Sequence, residues 1–367
     1  MRLLFTGGGT GGHVSPAIAI AEYARKNFDI EDVAFVGRRG GDENAAITKL
    51  GYQLYEIEIS GFMRKISFEN IKRLLKLSRA LNDARKIIRD FRPDAVIGTG
   101  GYVSWPVLRA AQKAKIPTFI HESNAYPGLV TRLVSKKCKK VFLNSPNALE
   151  YLKRKDNVML VGNPVEARFY NTERESARKT LGIKRGDLLI VSYAGSGGAK
   201  KINEVILEFI KSYSSKIGKI RHIHASGKKY FKEFTEALPD FKCGKNRITI
   251  VPYVENLHIA LNAADVVIAR CGAMTLSEIS ASRTAAILIP SPNVADNHQY
   301  KNAKALLDVN AARLIEEKDL SSEALVKEVD FLLKNPDERK NLSANAGKAF
   351  IRNAEEKILK AVFQSAK

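Results

Sequence analysis

The feature that most limits how this 367-residue chain can fold is its regular alternation of short β-branched runs with helical patterns. Such alternation is typical of parallel α/β sheets, in which a helix connects one strand to the next. Helical patterns such as Pro16–Asn27 and Ile202–Lys211 lie between the runs. The predicted strands are Leu3–Thr6, Val33–Val36, Leu54–Ile57, Ala95–Ile97, Thr118–Ile120 and Val141–Leu143 in the first half, and Leu188–Tyr193, Arg221–Ala225, Ile248–Val251, Val266–Ile268 and Ala286–Ile289 in the second.

The two halves of the chain resemble each other. Each begins with a strand that leads into a glycine loop, at 7–12 and 194–198, and each later has an Asp-led strand that ends at a glycine turn. We therefore predict an α/β fold with two facing Rossmann-like domains and a cleft between them. Because Asn-Pro breaks regular structure, the boundary is placed at Gly162-Asn163-Pro164. Residues 1–163 form the predicted first domain and 164–346 the second, and a last helix at about 347–367 is a candidate to pack back on the first.

The charge of the chain is strongly positive, with 60 Lys and Arg residues against 39 acidic ones and a formal net charge of +21. Such an excess favours an anionic partner, which would be nucleic acid, an anionic membrane surface or a phosphorylated substrate. A Lys-rich proteome is the alternative explanation. The chain has no helix-turn-helix, RNP or zinc signature and no aromatic residues interleaved with its basic clusters, so we predict no nucleic-acid partner.

Cysteine content and hydropathy indicate the cellular compartment in which the protein works. Cys138, Cys243 and Cys271 are far apart and have no metal-ligand spacing, so we interpret them as reduced structural thiols. No apolar run reaches the ~18 residues needed to span a bilayer. The N-terminus has no signal-peptide pattern, and a cytosolic location is therefore expected.

The glycine loops at strand ends indicate phosphorylated ligands. In open α/β sheets ligands lie beyond the carboxyl ends of the strands, where backbone N–H groups and helix N-termini approach phosphate oxygens. The first loop also contains GxGxxG with Glu31 and Asp32 about 20 residues later, so a nicotinamide-dependent oxidoreductase is an alternative. That alternative leaves the second loop unexplained. A Walker A motif is absent, which argues against a P-loop NTPase, and so is the metal-holding Asp-x-Asp of many sugar transferases of another fold.

Seven motifs, in order over nearly the whole chain, resemble those of glycosyltransferase family 28. The resemblance implies the two-domain GT-B fold, an inverting mechanism, no cofactor and no obligatory metal. The motifs are Gly8-Gly9-Thr10-Gly11-Gly12-His13-Val14-Ser15-Pro16, Gly100-Gly101-Tyr102-Val103-Ser104, His121-Glu122-Ser123-Asn124, Gly162-Asn163-Pro164-Val165, Gly195-Ser196-Gly197-Gly198-Ala199, Arg270-Cys271-Gly272-Ala273-Met274-Thr275-Leu276-Ser277-Glu278 and Asp296-Asn297-His298-Gln299.

The same resemblance implies a reaction. N-acetylglucosamine would pass from UDP-N-acetylglucosamine to the 4-hydroxyl of the muramyl sugar of undecaprenyl-diphosphate-linked muramyl pentapeptide, which turns lipid I into lipid II in peptidoglycan synthesis. The enzyme would work as a peripheral protein at the cytoplasmic face of a bacterial membrane, with other cell-wall synthesis proteins as candidate partners. Another UDP-sugar-dependent glycolipid synthase, or a sugar epimerase of the same fold, is the alternative.

At four positions the chain departs from the family pattern. Gly197 stands where Gln is frequent, Glu166 where Arg is common, His298 where Gln is frequent, and Trp105 where Gly is usual. These departures concern individual contacts with uridine diphosphate more than the type of reaction.

Glu278 and Arg270 have the most specific roles in the donor set that the resemblance implies. Glu278 would accept both ribose hydroxyls, since a carboxylate can accept two neighbouring O–H donors; a first-turn Glu favoured by the helix dipole is the alternative. Ser196, Gly197, Gly198 and Arg270 would hold the diphosphate, because without a metal motif backbone donors and a cation must offset the developing charge.

The remaining donor assignments have simpler alternatives. Ser196 also suits an N-cap, Arg270 a surface salt bridge, and Tyr253 and Val254 suit either a uracil pocket or the core. His298 and Gln299 resemble a pair that reads the sugar hydroxyls. The full donor set is Thr10, Gly11, Gly12, Asn124, Ser196, Gly197, Gly198, Tyr253, Val254, Arg270, Ala273, Met274, Thr275, Glu278, His298 and Gln299.

The acceptor side needs a general base, because the 4-hydroxyl must lose a proton as it attacks the anomeric carbon. A base that titrates near neutrality suits this step. His13, directly after the first glycine loop, is the first candidate, and Glu122 and His121 are the others; His13 could instead donate to an acceptor phosphate. Asn124 is expected to orient the acceptor. The residues implied on this side are Thr10, His13, Tyr102, Glu122 and Asn124.

A basic, amphipathic stretch at 61–92 suggests contact with an anionic membrane surface. Each basic residue near such a surface contributes ~1 kcal/mol, and a few of them with some buried apolar area give reversible docking. Lys136-Lys137-Cys138-Lys139-Lys140 adds a second basic cluster. The helical stripe of Ile71, Leu74, Leu75, Ser78, Leu81 and Ile88 is either lipid-facing or core, whereas Phe62, Met63, Ile66 and Phe68 are the better candidates for lipid contact.

Overall fold

The computed structural model describes residues 1–9, 11–41, 44–60, 68–195, 197–213, 220–238 and 247–366, without the side chains of 68–75. The chain divides into two compact units. The first consists of Met1–Pro164 together with Ile351–Lys367, and the second is Val165–Phe350.

The first unit is built on a seven-stranded parallel sheet. Its strands are β1 (Arg2–Thr6), β2 (Asp32–Arg38), β3 (Gln53–Ile57), β4 (Ala95–Gly98), β5 (Thr118–Glu122), β6 (Lys140–Leu143) and β7 (Val158–Leu160). They are arranged in the order β3-β2-β1-β4-β5-β6-β7. The helices of this unit are α1 (Gly11–Asn27), α2 (Asn44–Lys49), α3 (Phe68–Phe91), α4 (Ser104–Lys113), α5 (Leu129–Val134) and, from the end of the chain, α15 (Ala354–Ala366).

The second unit repeats this design with a six-stranded parallel sheet. Its strands are β8 (Leu188–Tyr193), β9 (Ile220–Ala225), β10 (Ile248–Val251), β11 (Val266–Ala269), β12 (Ala286–Leu288) and β13 (Arg313–Leu314), in the order β10-β9-β8-β11-β12-β13. The helices are α6 (Arg168–Asn171), α7 (Arg174–Thr180), α8 (Lys200–Tyr213), α9 (Phe231–Glu236), α10 (Leu257–Ala263), α11 (Ala273–Ala281), α12 (His298–Leu307), α13 (Ser322–Lys334) and α14 (Pro336–Ala349).

Burial on both faces explains why the central strands read as continuous apolar runs rather than alternating ones. All residues of β4 and β5 are buried, and apolar clusters lie on both sides of this sheet. Phe5 and Phe35 stack within it with ring centroids 5.3 Å apart. The last helix, α15, packs on α1, and Phe363 stacks on Phe28 with centroids 4.7 Å apart. The carboxyl-terminal segment therefore completes the core of the first unit.

The predicted α/β architecture is confirmed, and all eleven predicted strands are present. Two strands were not predicted, β7 and β13. Both lie at sheet edges and are only three and two residues long, and most of their residues are partly exposed. Such short edge strands have little apolar periodicity to reveal them.

The amphipathic stripe predicted for α3 is partly wrong. Ser78 is exposed, whereas Ala80, Ala84, Ile88 and Phe91 are buried in the core of the first unit. The second half of this helix is therefore a core helix. Phe62, Met63 and Ile66 lie outside the described residues, as do the side chains of Phe68, Ile71, Leu74 and Leu75. Over the described ranges, no helix is long and apolar enough to cross a membrane.

The structure describes two of the three cysteines that were interpreted as reduced structural thiols. Cys138 and Cys271 are buried free thiols, and burial raises the pKa of both. Cys243 lies outside the described residues. Both thiols are therefore protonated at neutral pH and pack as small apolar side chains.

Candidate functional site

A cavity of 570 Å³ lies within the second unit, at the carboxyl edge of its sheet. Residues that follow four adjacent strands line it. Gly195 follows β8, Gly272 follows β11, Ser291 follows β12 and Glu317 follows β13. This is the position at which open parallel sheets bind their ligands, because the connections after the strands converge there.

Two helices begin at the wall of this cavity. Gly198, Lys200 and Lys201 line it at the start of α8, and Gly272 and Thr275 line it at the start of α11. The N-terminus of a helix presents unpaired N–H groups and a partial positive charge. With two lysines added, this end of the cavity suits an anionic group such as a diphosphate. Lys200 and Lys201 were not among the predicted site residues.

The second glycine loop needs glycine at Gly198. Its φ is +70°, and a Cβ there would lie 2.1 Å from the carbonyl oxygen of Ser226. Asn203 holds the same carbonyl by donating from Nδ2 at 2.8 Å. The loop is therefore pressed against the turn after β9. A Cβ at Gly197 would have no neighbour within 4 Å, so this departure from the family pattern leaves open space.

The salt bridge of Arg270 is not a surface one, because Arg270 is a mostly buried residue in the wall of the cavity. Its side chain is only 11% exposed and lines the cavity. Nη1 donates to the carbonyl oxygens of Ile289 at 3.2 Å and Pro290 at 3.1 Å, and Nη2 pairs with Glu317. The guanidinium is thus held in a defined place at the carboxyl edge of the sheet.

Of the predicted pair His298 and Gln299, only Gln299 lines the cavity. Gln299 lines the cavity, and its Oε1 accepts from the backbone N–H groups of Cys271 at 3.2 Å and Ser291 at 2.9 Å. Only its NH₂ group then remains to donate to a ligand. His298 contacts the carbonyl oxygen of Ala295 through Nδ1 at 2.9 Å and is not among the residues that line the cavity.

Glu278 has an unusual electrostatic environment on α11. Burial raises the pKa of its carboxyl group to about 8, and the negative charge of Glu166 adds to the effect. Within the described part of the chain, no group donates a hydrogen bond to this carboxyl. The first-turn alternative is wrong, because α11 begins at Ala273 and has no acidic residue in its first turn. Glu278 therefore suits a ligand that brings its own O–H donors.

Two tyrosines, Tyr193 and Tyr253, lie close enough to Glu278 for its negative charge to raise their pKa values. The side chain of Tyr253 is 48% exposed, so the core alternative is wrong for this residue, while Val254 packs against the core cluster of the second unit. Tyr193 ends β8 and is buried, and its hydroxyl has no hydrogen-bond partner among the described residues.

In the first unit, hydrogen bonds between His13 and Thr99 join the first glycine loop to the glycine turn after β4. Nδ1 of His13 contacts the carbonyl oxygen of Thr99 at 3.1 Å, and Thr99 Oγ1 donates back to the carbonyl oxygen of His13 at 2.6 Å. A carbonyl can only accept, so this contact assigns the proton of the neutral ring to Nδ1 and the lone pair to Nε2. Thr99 was not predicted, since its contribution depends on a contact between distant loops.

Glycines make this close approach possible. A Cβ at Gly100, where φ is +99°, would lie 2.8 Å from His13 Nδ1. A Cβ at Gly101 would lie 1.9 Å from the carbonyl oxygen of Gly8, and one at Gly9 would lie 2.8 Å from the ring of Tyr102. The structure therefore brings Tyr102 and His13 to the same loop.

Glu122 holds a loop, and its contacts argue against a role as general base. Its Oε1 accepts from the backbone and side-chain nitrogens of Asn124, both at 3.0 Å. Its Oε2 accepts from Gly128 N at 2.9 Å and from Thr131 Oγ1 at 2.6 Å. All four acceptor positions of the buried carboxylate are used, so it could take a proton only by giving up one of these bonds. Glu122 is better assigned to positioning Asn124.

His121 is excluded as a base by burial. Its side chain is fully buried, Nε2 contacts the carbonyl oxygen of Gly162 at 2.9 Å, and burial lowers the pKa of the ring. A neutral, inaccessible imidazole cannot exchange a proton with a substrate. His13, which is partly exposed, remains the candidate base.

The other predicted donor residues fall into three groups. Gly11 and Gly12 begin α1 in the first unit, while Ala273, Met274 and Thr275 form the first turn of α11 in the second. Thr10 and Ser196 lie outside the described residues. In the part of the chain that the structure describes, no three His, Cys, Asp or Glu side chains are grouped to hold a metal ion.

Comparisons with known proteins agree over both units. Residues 3–143 match the family model of the glycosyltransferase family 28 N-terminal domain, and residues 189–358 match that of the C-terminal domain. A Thermoanaerobacter sp. (strain X514) protein is 40% identical over 362 residues, which are 99% of each chain. Its name is UDP-N-acetylglucosamine--N-acetylmuramyl-(pentapeptide) pyrophosphoryl-undecaprenol N-acetylglucosamine transferase.

Two further relatives support the same match. A protein of Acetivibrio thermocellus with that name is 38% identical over 358 residues, 98% of this chain and 96% of its own. Among solved structures, Acinetobacter baumannii MurG aligns with a TM-score of 0.78 and 26% identity, and the alignment covers 99% of each chain. The similarity extends over the full length of both units.

Proposed function

This chain belongs to glycosyltransferase family 28, and we propose that it transfers N-acetylglucosamine from UDP-N-acetylglucosamine to the 4-hydroxyl of the muramyl sugar of undecaprenyl-diphosphate-linked muramyl pentapeptide. The predicted family and its GT-B fold are thereby confirmed. The observation that carries the proposal is the cavity of the second unit, where two helix N-termini and Arg270 surround space for a diphosphate. The nicotinamide-dependent alternative does not account for this cavity.

On the donor side, the diphosphate would lie against Gly198, the start of α8 and Arg270. As the bond between the sugar and the diphosphate breaks, these groups would stabilise the negative charge that develops on UDP. Glu278 would accept the ribose hydroxyls, with Tyr253 and Val254 beside the base. Gln299 would donate its NH₂ group to a sugar hydroxyl, because its oxygen is already used by two backbone N–H groups.

On the acceptor side, Nε2 of His13 would take the proton of the 4-hydroxyl as that oxygen attacks the anomeric carbon. UDP leaves with the bonding electrons, and the configuration at the anomeric carbon inverts. The contact of Nδ1 with Thr99 supports this role, because it directs the lone pair to Nε2 and stabilises the protonated ring that forms. Asn124, held by Glu122, would orient the acceptor together with Tyr102.

The test of the proposed function is a transfer assay with labelled UDP-N-acetylglucosamine and a short-chain lipid-linked muramyl pentapeptide, in the presence of a chelator. We expect label in the lipid product. If the nucleotide sugar binds but no product forms, even after a divalent metal is added, the donor assignment stands and the acceptor is wrong. If the nucleotide sugar does not bind, both assignments fail.

We also propose that the protein works as a peripheral protein at the cytoplasmic face of the bacterial membrane, and α5 offers a surface for this contact. Leu129 is 61% exposed and Leu133 is 57% exposed, and residues four apart lie on one side of a helix. The segment 126–157 contains eight basic and two acidic residues. Exposed leucines bordered by basic side chains fit an anionic lipid surface.

The position of α5 links this surface to the acceptor site. Glu122 accepts from Gly128 and Thr131, so the carboxylate that holds Asn124 also holds the start of the helix. A lipid-linked acceptor must be reached from the membrane. A lipid-facing α5 would bring that surface next to Asn124.

Replacing Leu129 and Leu133 with Ser together is expected to weaken binding to vesicles that contain phosphatidylglycerol by about tenfold, because apolar area that enters the lipid is lost. Vesicle sedimentation measures the change. Leu50→Ser is the matched control, since Leu50 is 41% exposed beside the edge strand β3, at the other end of the sheet. Equal binding by the double variant and the control would exclude α5 as the contact.

A further inference from the structure

Two acidic side chains line the cavity of the second unit, and their surroundings differ. Glu204 on α8 is 55% exposed, and its nearest cation is Lys200, with a distance of 3.9 Å between Nζ and Oε1. Glu317 is only 17% exposed and pairs directly with the guanidinium of Arg270. Glu317 is therefore paired with Arg270, the same cation that the proposed function assigns to the diphosphate.

The guanidinium does not depend on Glu317 for its position. Nη1 of Arg270 is held by the carbonyl oxygens of Ile289 and Pro290, which follow β12, whereas Glu317 contacts Nη2. Glu317 begins a short 3-10 turn, Glu317–Asp319, after the edge strand β13. If the carboxylate rotated away, the backbone contacts would keep the guanidinium in the wall and leave Nη2 to another anion.

We propose that Glu317 is an exchangeable counter-ion that occupies Arg270 when the cavity holds no nucleotide, and that the diphosphate of the nucleotide displaces it. Glu317 then weakens nucleotide binding and favours release of UDP after transfer. This inference rests on the proposed function, since it takes the diphosphate site to be at Arg270.

The physical reason is competition between like charges in a partly buried site. A diphosphate brings several negative charges to within a few ångströms of a carboxylate that is itself paired with the same cation. At such distances, with an effective dielectric constant of about 20, repulsion between unit charges is strong enough to change affinity by an order of magnitude. A ligand without phosphates would not meet this repulsion, so the effect of Glu317 is specific to the charged part of the nucleotide.

The test is isothermal titration calorimetry of Glu317→Gln with UDP and with uridine. Glutamine retains the size of the side chain and can still accept a hydrogen bond from Arg270, but it has no charge. We expect the Kd of UDP to fall about tenfold and that of uridine to stay unchanged. UDP should also become a stronger product inhibitor of transfer by the same factor.

The matched control is Glu204→Gln, which removes an exposed carboxylate from the same cavity and is expected to change the Kd of UDP much less. Glu317→Ala provides a second variant without the amide, and the thermal midpoint of each variant shows that it is folded. Unchanged or weaker UDP binding by both Glu317 variants would overturn the proposal and leave the donor site intact. Failure of the wild-type protein to bind UDP would overturn the donor site and this inference together.

Discussion

Replacing His13 with Asn is expected to lower kcat for sugar transfer by about a hundredfold or more and to leave the Kd of UDP unchanged. General-base catalysis by a positioned side chain contributes about 10²–10⁴ to the rate. Asparagine keeps an N–H that can donate to the carbonyl oxygen of Thr99, as Nδ1 of His13 does at 3.1 Å, but it has no ring nitrogen to accept the proton of the acceptor. The variant therefore removes the proton acceptor while retaining the loop contact.

The control for this experiment is Thr99→Val. It removes the hydroxyl that donates to the carbonyl oxygen of His13 at 2.6 Å but keeps the carbonyl that holds the ring. We expect a much smaller loss of kcat than in His13→Asn. Full activity of His13→Asn over a series of pH values would remove His13 from the base role and leave it a loop residue.

The second large effect is expected at Glu278. Glu278→Ala should raise the KM for UDP-N-acetylglucosamine strongly, about tenfold to a hundredfold, because hydrogen bonds to a charged group contribute about 1.5–3 kcal/mol. The effect should appear in KM, while the variant domain should remain folded. Equal donor kinetics in the variant and the wild type would contradict the ribose assignment.

Donor binding should also depend on pH through this residue. The pKa of the Glu278 carboxyl is raised to about 8, so the group is largely protonated at neutral pH while the site is empty. Ribose hydroxyls donate best to the ionised form, and binding must therefore release a proton. The Kd of UDP is expected to fall as the pH rises from about 6 to 8 and then to level off. Titration in two buffers of different ionisation enthalpy would reveal the released proton.

A rise in pH that strengthens donor binding through the Glu278 carboxyl is expected to lower the stability of the nucleotide-free protein. Its pKa in the folded protein is above the ordinary value of 4.5, so the folded state binds more protons than the unfolded state between these values. The stability that Glu278 contributes is present below pH 4.5 and is lost as the pH rises through 8. Glu278→Gln should therefore raise the thermal midpoint of the nucleotide-free protein, by more at pH 8 than at pH 5, while weakening donor binding. A thermal midpoint that does not depend on pH in this comparison would contradict the buried-carboxyl interpretation.

Secondary structure could be predicted from the sequence where the local pattern of apolar residues matches their burial in the fold. The central strands, such as β4, β8 and β11, are largely apolar runs because apolar clusters pack on both faces of their sheets. Glycine loops mark the carboxyl ends of strands, since positions such as Gly100 and Gly198 require positive φ or space that only glycine leaves. Together with the motif order, these signals were sufficient for the fold and the family.

The roles of individual polar residues could not be predicted in the same way, because each depends on contacts between distant segments. Glu122 looks like a candidate base in sequence, but four donors from the following loop and α5 use all of its acceptor positions. For Arg270, a surface salt bridge was the alternative to a role at the diphosphate. Its environment is set by Glu317, 47 positions later in the chain, after an edge strand too short to recognise.

The amino-acid sequence by itself therefore determined the α/β class and the family, because apolar periodicity and glycine requirements are properties of short segments. Only the tertiary structure decided which nitrogen of His13 holds its proton, why the pKa of the Glu278 carboxyl is raised to about 8, and which carboxylate pairs with Arg270. Burial and charge at a site are sums over residues that are distant in the chain, and no local pattern contains them.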